Sequence, residues 1–235
     1  MPRNYSDLIV GLMAQCPQIQ GLVIHDNADL KTFMKGLGLF IFGAPRIGTL
    51  LLKNFISSFF GGREAAYRAQ SLPVNQFQNL NSDEALSWIR SHDFDLILNL
   101  RTRCIYSKQL LSIPKIGCVN LHHGLLPDDR GTLCDLWALS EGRYAGFSLH
   151  EMTSKLDDGR IFDVQTVDSG NEKNFYQYLL KTKDLELKSL EDFIHIVSEL
   201  GHLPDGQDNT SNSIKYFKSP KIKDLRYLRQ RGMSL

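Results

Sequence analysis

Apolar positions along this chain alternate between two periods. Across residues 6–15, Leu8, Ile9, Leu12 and Met13 fall at the spacing of one helix face. Residues 21–25 (GLVIH), 95–100 (DLILNL) and 117–121 (GCVNL) are short unbroken apolar runs, as expected of buried strands. Residues 146–152 (GFSLHEM) alternate like a strand, and residues 160–167 are suited to pair with them. Helical stretches lie between the runs. One opens at Asn81-Ser82-Asp83-Glu84 and continues through His92, with Asn81 as its expected cap and acids in its first turn. A short helix from Ser107 to Leu111 stops before Pro114. Others are expected around Trp137 (133–139) and across 171–200, on Phe175, Leu179, Leu180, Phe193, Ile194 and Val197. Residues 61–73 read as a polar loop. The alternation predicts an α/β fold with a mostly parallel sheet.

Two stretches depart from this rhythm. Residues 36–60 are apolar but contain Pro45, Arg46 and Lys53, and they divide into two pieces. A membrane span needs about 20 continuous apolar residues, so a pair of buried or partner-facing helices is expected, with no membrane span. From Ser213 the chain is basic, with Lys215, Lys218, Lys221, Lys223, Arg226, Arg229 and Arg231 against the single acid Asp224. Ile222, Leu225 and Leu228 have helical spacing there, so a helix packing one apolar face is favoured over a nucleic-acid arm. The division expected is a catalytic domain over 1–200 and a basic tail over 201–235.

Bulk composition adds limits. The 235 residues suffice for a substantial core, and the formal net charge is +1, so no overall field draws the chain to nucleic acid or anionic lipid. Cys16, Cys104, Cys118 and Cys134 form no C-x-x-C pair and read as reduced thiols of a cytoplasmic protein. No metal-ligand cluster is evident.

The chemistry concentrates at Asn120-Leu121-His122, which closes a predicted buried strand. Strand alternation puts Asn120 and His122 on one side. An amide donor and an imidazole aimed at one point can polarise a carbonyl and move a proton. Leu125-Leu126-Pro127 and Arg130-Gly131 follow, an apolar loop suited to a flat ligand. Asp157, in the turn Leu156-Asp157-Asp158-Gly159, is a carboxylate that could orient a histidine, although Asp-Gly turns are also ordinary hairpin connections.

Taken together, these segments resemble a known family. CVNLHHGLLPDDRG is similar to N-x-H-P-S-L-L-P-x-x-R-G, and AGFSLHEMTSKLDDGRIF to G-x-T-x-H followed by L-D-x-G-x-I, with Trp137-Ala138 between them. Both are marks of the 10-formyltetrahydrofolate-dependent formyltransferases, which act on glycinamide ribonucleotide, methionyl-tRNA or sugar nucleotides. The resemblance implies a Rossmann-like sheet of the formyltransferase type. It implies Asn120, His122 and Asp157 as catalytic residues. It implies a folate pocket at Arg103, Cys104 and Ile105 (from RTRCIYS), at Leu125, Leu126 and Pro127, and at Thr153 in the turn to Asp157. The co-substrate implied is 10-formyltetrahydrofolate, with no metal. A neutral amine would attack the formyl carbon, Asn120 and a protonated His122 would stabilise the oxyanion, and Asp157 would keep His122 charged.

The departures shape the acceptor. His123-Gly124 stands where the family often has Pro-Ser. Asp128-Asp129 would repel an RNA backbone. The first strand of the family fold is absent from this reading, because the chain leads almost directly into its first helix, and with it goes a glycine-rich turn that would cradle glycinamide ribonucleotide phosphate. The expected function is formyl transfer to a small-molecule primary amine, best an amino-sugar nucleotide, by a protein that could form a homodimer. The alternatives are a methionyl-tRNA formyltransferase-like protein, or an inactive folate-binding or partner-binding remnant.

Overall fold

The computed structural model describes residues 3–26, 34, 37–38, 48–49, 52, 62–102, 104–170 and 172–234. Apart from five positions, the apolar segment 36–60 lies outside the described residues, as does Arg103. The fold is mixed α/β. The chain divides into two compact units: residues 1–76, 171–191 and 220–235, and residues 77–170 and 192–219.

In the first unit, α1 (Arg3–Gln15) buries Leu8, Ile9 and Leu12, the stripe its spacing foretold. It packs on α2 (Gly62–Ala69), whose Tyr67 hydroxyl donates to the Ile9 carbonyl at 3.1 Å. α2 occupies the predicted polar loop. It buries only Tyr67, so it has no apolar stripe to be read. β1 (Leu22–His25) pairs with β2 (Val74–Phe77), another element missed because it reads as polar. α1 is the first described element and β1 the first described strand.

The second unit is built on a four-stranded sheet in the order β3-β4-β6-β7, formed by β3 (Leu96–Leu100), β4 (Gly117–His122), β6 (Ala145–Glu151) and β7 (Ile161–Val167). β3 and β4 run parallel, while β4–β6 and β6–β7 are antiparallel. Residues 152–160 between β6 and β7 are too few for a parallel crossover, which needs about a dozen. α3 (Asp83–Ser91) and α4 (Lys108–Leu111) flank the first two of these strands in sequence. Ser82, rather than Asn81, caps α3, because its hydroxyl accepts the Ala85 amide. Asn81 instead bonds the Ile105 carbonyl at 2.9 Å and the Ser107 amide at 2.8 Å.

A second small sheet joins β5 (Asp129–Gly131) in parallel to β8 (Lys215–Phe217). β8 therefore belongs to this unit, although it lies in the segment read as a tail. Backbone pairing joins β8 to β5, and an isolated bridge joins Gln207 to Ile161 at the start of β7. α5 (Cys134–Glu141) follows β5. The long α6 (Phe175–Leu200) buries Tyr178, Leu179 and Leu190 in the first unit and Phe193, Ile194 and Val197 in the second. In the first unit, α7 (Ile222–Gln230) buries Leu225 and Leu228 and leaves Lys223, Arg226 and Arg229 exposed. Among the described residues, no helix is long and apolar enough to cross a membrane.

Candidate active site

The cross-strand register of β4 and β6 builds the site. Asn120 faces His150 and His122 faces Ser148, so all four side chains share one face of the pair. The turn 152–160 folds over that face and brings in Asp157, whose backbone is left-handed at φ 48°. Asp157 Oδ1 lies 3.7 Å from His122 Nδ1 and 3.6 Å from His150 Nε2. These are close polar approaches, slightly too long for hydrogen bonds. The Gly131 amide donates to Asp157 Oδ2 at 2.8 Å. His122 and Asp157 are 5% and 6% exposed.

Hydrogen bonds assign the ring tautomers. His122 Nε2 lies 2.8 Å from the Asp129 carbonyl, which can only accept, so Nε2 carries the hydrogen and Nδ1 turns toward Asp157. His150 Nδ1 donates to the Glu151 carbonyl at 2.7 Å, and its Nε2 accepts from Asn120 Nδ2 at 3.1 Å. Half-buried Asn120 thus keeps one amide hydrogen beyond its bond to His150.

Burial depresses the His122 pKa by more than the Asp157 charge raises it; the neighbouring His150 and His123 rings also disfavour a cation. His122 is therefore held below the ordinary imidazole value, contrary to the expectation that Asp157 keeps it protonated. For Asp157, burial alone would raise the carboxyl. Interactions with the His150 and His122 rings in their protonated forms, together with the Gly131 amide, outweigh it and hold the group below the ordinary carboxylate range. At neutral pH the site thus pairs an ionised Asp157 with a neutral His122.

Ser148 ties the following loop to the sheet. Its hydroxyl donates to the Gly124 carbonyl at 2.7 Å and accepts the Leu126 amide at 3.0 Å. Leu126 is buried, and Leu125 and Pro127 are half-buried. Cys104 is half-buried and Ile105 is 73% exposed; both follow β3, the parallel neighbour of β4, and Asn81 holds this segment. Thr153 is exposed at the start of the turn, its hydroxyl engaged with the Lys155 backbone. The structure thus gathers Asn120, His122 and Asp157, with the 125–127 loop adjoining. It does not bring Thr153 into that cluster.

Sequence reasoning missed three contributors. His150 stood in a quoted motif without a role. His123, one residue past β4, pairs with Asp135 at 2.9 Å, both buried, and the Arg101 guanidinium lies against its ring. Asp129, read as an RNA-repelling surface charge, is buried and paired with Arg143 at 2.9 Å, which leaves only Asp128 of that pair exposed. None of these contacts has a local sequence signal, since each joins separate segments.

Comparison with known proteins agrees with this architecture. Residues 64–194 match the formyl transferase family. The match covers more than half of the chain, and the protein belongs to the formyl transferase family. Among curated relatives, it is 31% identical over 125 residues to the bifunctional polymyxin resistance protein ArnA of Wigglesworthia glossinidia brevipalpis, covering 52% of this chain and 19% of that protein. It is 30% identical over 149 residues to a methionyl-tRNA formyltransferase of Xanthomonas euvesicatoria, covering 63% of this chain and 48% of that one. The chain thus spans about half or less of these relatives. Among solved structures, a phosphoribosylglycinamide formyltransferase from Bacillus halodurans superposes with a TM-score of 0.58 at 15% identity, covering 85% of this chain and 93% of that one. A sugar N-formyltransferase from a Shewanella species gives 0.54 at 18% identity, covering 89% and 86%. These similarities confirm the formyltransferase fold.

Proposed function

We propose that this protein transfers a formyl group from 10-formyltetrahydrofolate to a primary amine, and that the amine is carried by a nucleotide-linked amino sugar. The observation that carries the reading is the meeting of Asn120, His122 and Asp157 on one sheet face. The residues present suit the folate: Leu125 and Pro127 offer a half-buried apolar loop, and Asn120 has an amide hydrogen to spare. When bound, the folate supplies an activated formyl carbon on a nitrogen leaving group.

Asn120 Nδ2 donates its remaining hydrogen to the formyl oxygen as negative charge gathers there, an oxyanion-hole role. His122 Nδ1, left without a hydrogen by the bond of Nε2 to the Asp129 carbonyl, takes the proton that the amine loses as the new C–N bond forms. Asp157, 3.7 Å away, stabilises the resulting imidazolium. The same proton passes to the departing folate nitrogen as its bond to carbon breaks. Neutral His122 is thus a base first and an acid second.

The acceptor is argued from similarity. One structural neighbour is the PseJ formyltransferase of Anoxybacillus kamchatkensis, solved with a UDP-linked formamido sugar and tetrahydrofolate, with a TM-score of 0.51 at 16% identity. A methionyl-tRNA acceptor is the second reading, favoured by the Xanthomonas relative and the exposed cations of α7. The test incubates the protein with 10-formyltetrahydrofolate and, separately, UDP-linked 4-amino sugars and methionyl-tRNA. Formamide formation on the sugar supports the proposal. Formylation of the tRNA alone replaces it with the second reading, and formylation of neither acceptor contradicts both.

A further inference from the structure

Asp157 sits in a left-handed conformation that costs a non-glycine residue roughly 1–2 kcal/mol, so something must hold its turn. The turn is gripped from a segment beyond residue 194, where the family match ends. Gln207 and Ile161 exchange backbone hydrogen bonds of 3.0 and 2.8 Å, which lays the chain leading to Asn209 along the end of the turn. Asn209 is 4% exposed. Its amide donates one hydrogen to the Asp157 carbonyl at 3.1 Å and the other to the Gly159 carbonyl at 2.7 Å. Its own carbonyl and Oδ1 both accept from Arg130 Nη2, at 2.6 and 3.2 Å. Arg130 is 2% exposed and pairs through Nη1 with Asp158 at 2.5 Å. Every hydrogen-bonding atom of the Asn209 amide is therefore spent on fixing residues 157–159 against β5.

We infer that Asn209 is the positioning residue for Asp157, and that the segment 207–217 is part of the machinery of the site. Asn209 touches none of the reacting groups and acts by setting where the Asp157 carboxylate stands relative to His122. β8 completes the grip: its pairing with β5 aims the Gly131 amide at Asp157 Oδ2. The catalytic part of this inference rests on the formyl-transfer reading, while the geometric part does not.

The test is Asn209→Asp, which keeps size and shape but removes both donors and puts a carboxylate against two carbonyls. Two readings are taken on folded protein. The first is the titration of His122 followed by nitrogen-15 NMR, which needs no substrate. Displacement of the Asp157 carboxylate away from His122 shifts the His122 midpoint further down. The second is turnover with 10-formyltetrahydrofolate and a UDP-linked 4-amino sugar, where kcat falls about 10- to 100-fold and KM for the formyl donor stays within about twofold. Should the aspartate variant not fold, Asn209→Ser, which keeps one donor, carries the same readings with smaller shifts. A folded variant with the wild-type His122 midpoint overturns the inference. A shifted midpoint in a protein that transfers no formyl group to any acceptor leaves Asn209 as the positioning residue and removes the proposed function instead.

Discussion

His122 shows how local environment decides chemistry. An imidazole facing a carboxylate is commonly expected to be charged, but here burial costs the cation more than Asp157 returns. Unfolding returns His122 to about 6.5. Between its folded midpoint and that value the unfolded chain binds the extra proton, so stability rises with pH across this window and is lost as the solution is acidified. Asp157, also depressed, contributes stability that is present above about 3.8 and lost as pH falls through its folded midpoint. We expect urea unfolding between about pH 7 and about pH 5 to show this slope, and His122→Gln to flatten it. A slope unchanged by the substitution would refute a neutral His122. Asp157→Asn keeps an oxygen for the Gly131 amide but removes the charge that steadies a protonated His122. Turnover should drop by about 10²- to 10⁴-fold in a protein that still folds. The three central residues were legible because two separated motifs carry them. Their protonation was not, because it depends on the Asp129 carbonyl and on the burial created by three converging segments.

Elements with an apolar period were legible, and polar ones were not. The runs 95–100 and 117–121 became β3 and β4 nearly as read, and 146–152 became β6. α2 escaped because it buries one residue, and β5 and β8 because strands of only three residues leave no alternation to detect. β5 nevertheless sets the position of the Gly131 amide. Gly131 has φ 104°, and a Cβ there would run into the Phe217 carbonyl of β8. Gly131→Ala should cost roughly 1–3 kcal/mol from strain and forced separation of the strands. Thermal melting checks this, and a variant as stable as the wild type would mean that β5 and β8 are not tightly paired.

For the molecule as a whole, the basic C-terminal stretch has two roles that its composition concealed. Residues 207–219 complete the unit that holds the site, and α7 packs Leu225 and Leu228 within the other unit. Deleting residues 207–235 should therefore do more than remove surface charge. We expect a lower melting temperature and protease cleavage within 152–160, since Asn209 and the Gln207 bridge no longer hold that turn. A truncated chain that melts and resists protease like the full one would show that the tail is dispensable to the fold.

The central claim is that Asn120, His122 and Asp157 form one formyl-transfer centre. Its most direct test is the release of tetrahydrofolate from 10-formyltetrahydrofolate in the presence of a UDP-linked 4-amino sugar, compared among the wild type, Asn120→Ala and His122→Ala, with folate binding measured in parallel. The account predicts amine-dependent release by the wild type and a loss of about 10²-fold or more in each variant, with folate still bound. Amine-dependent release that survives both substitutions would contradict it.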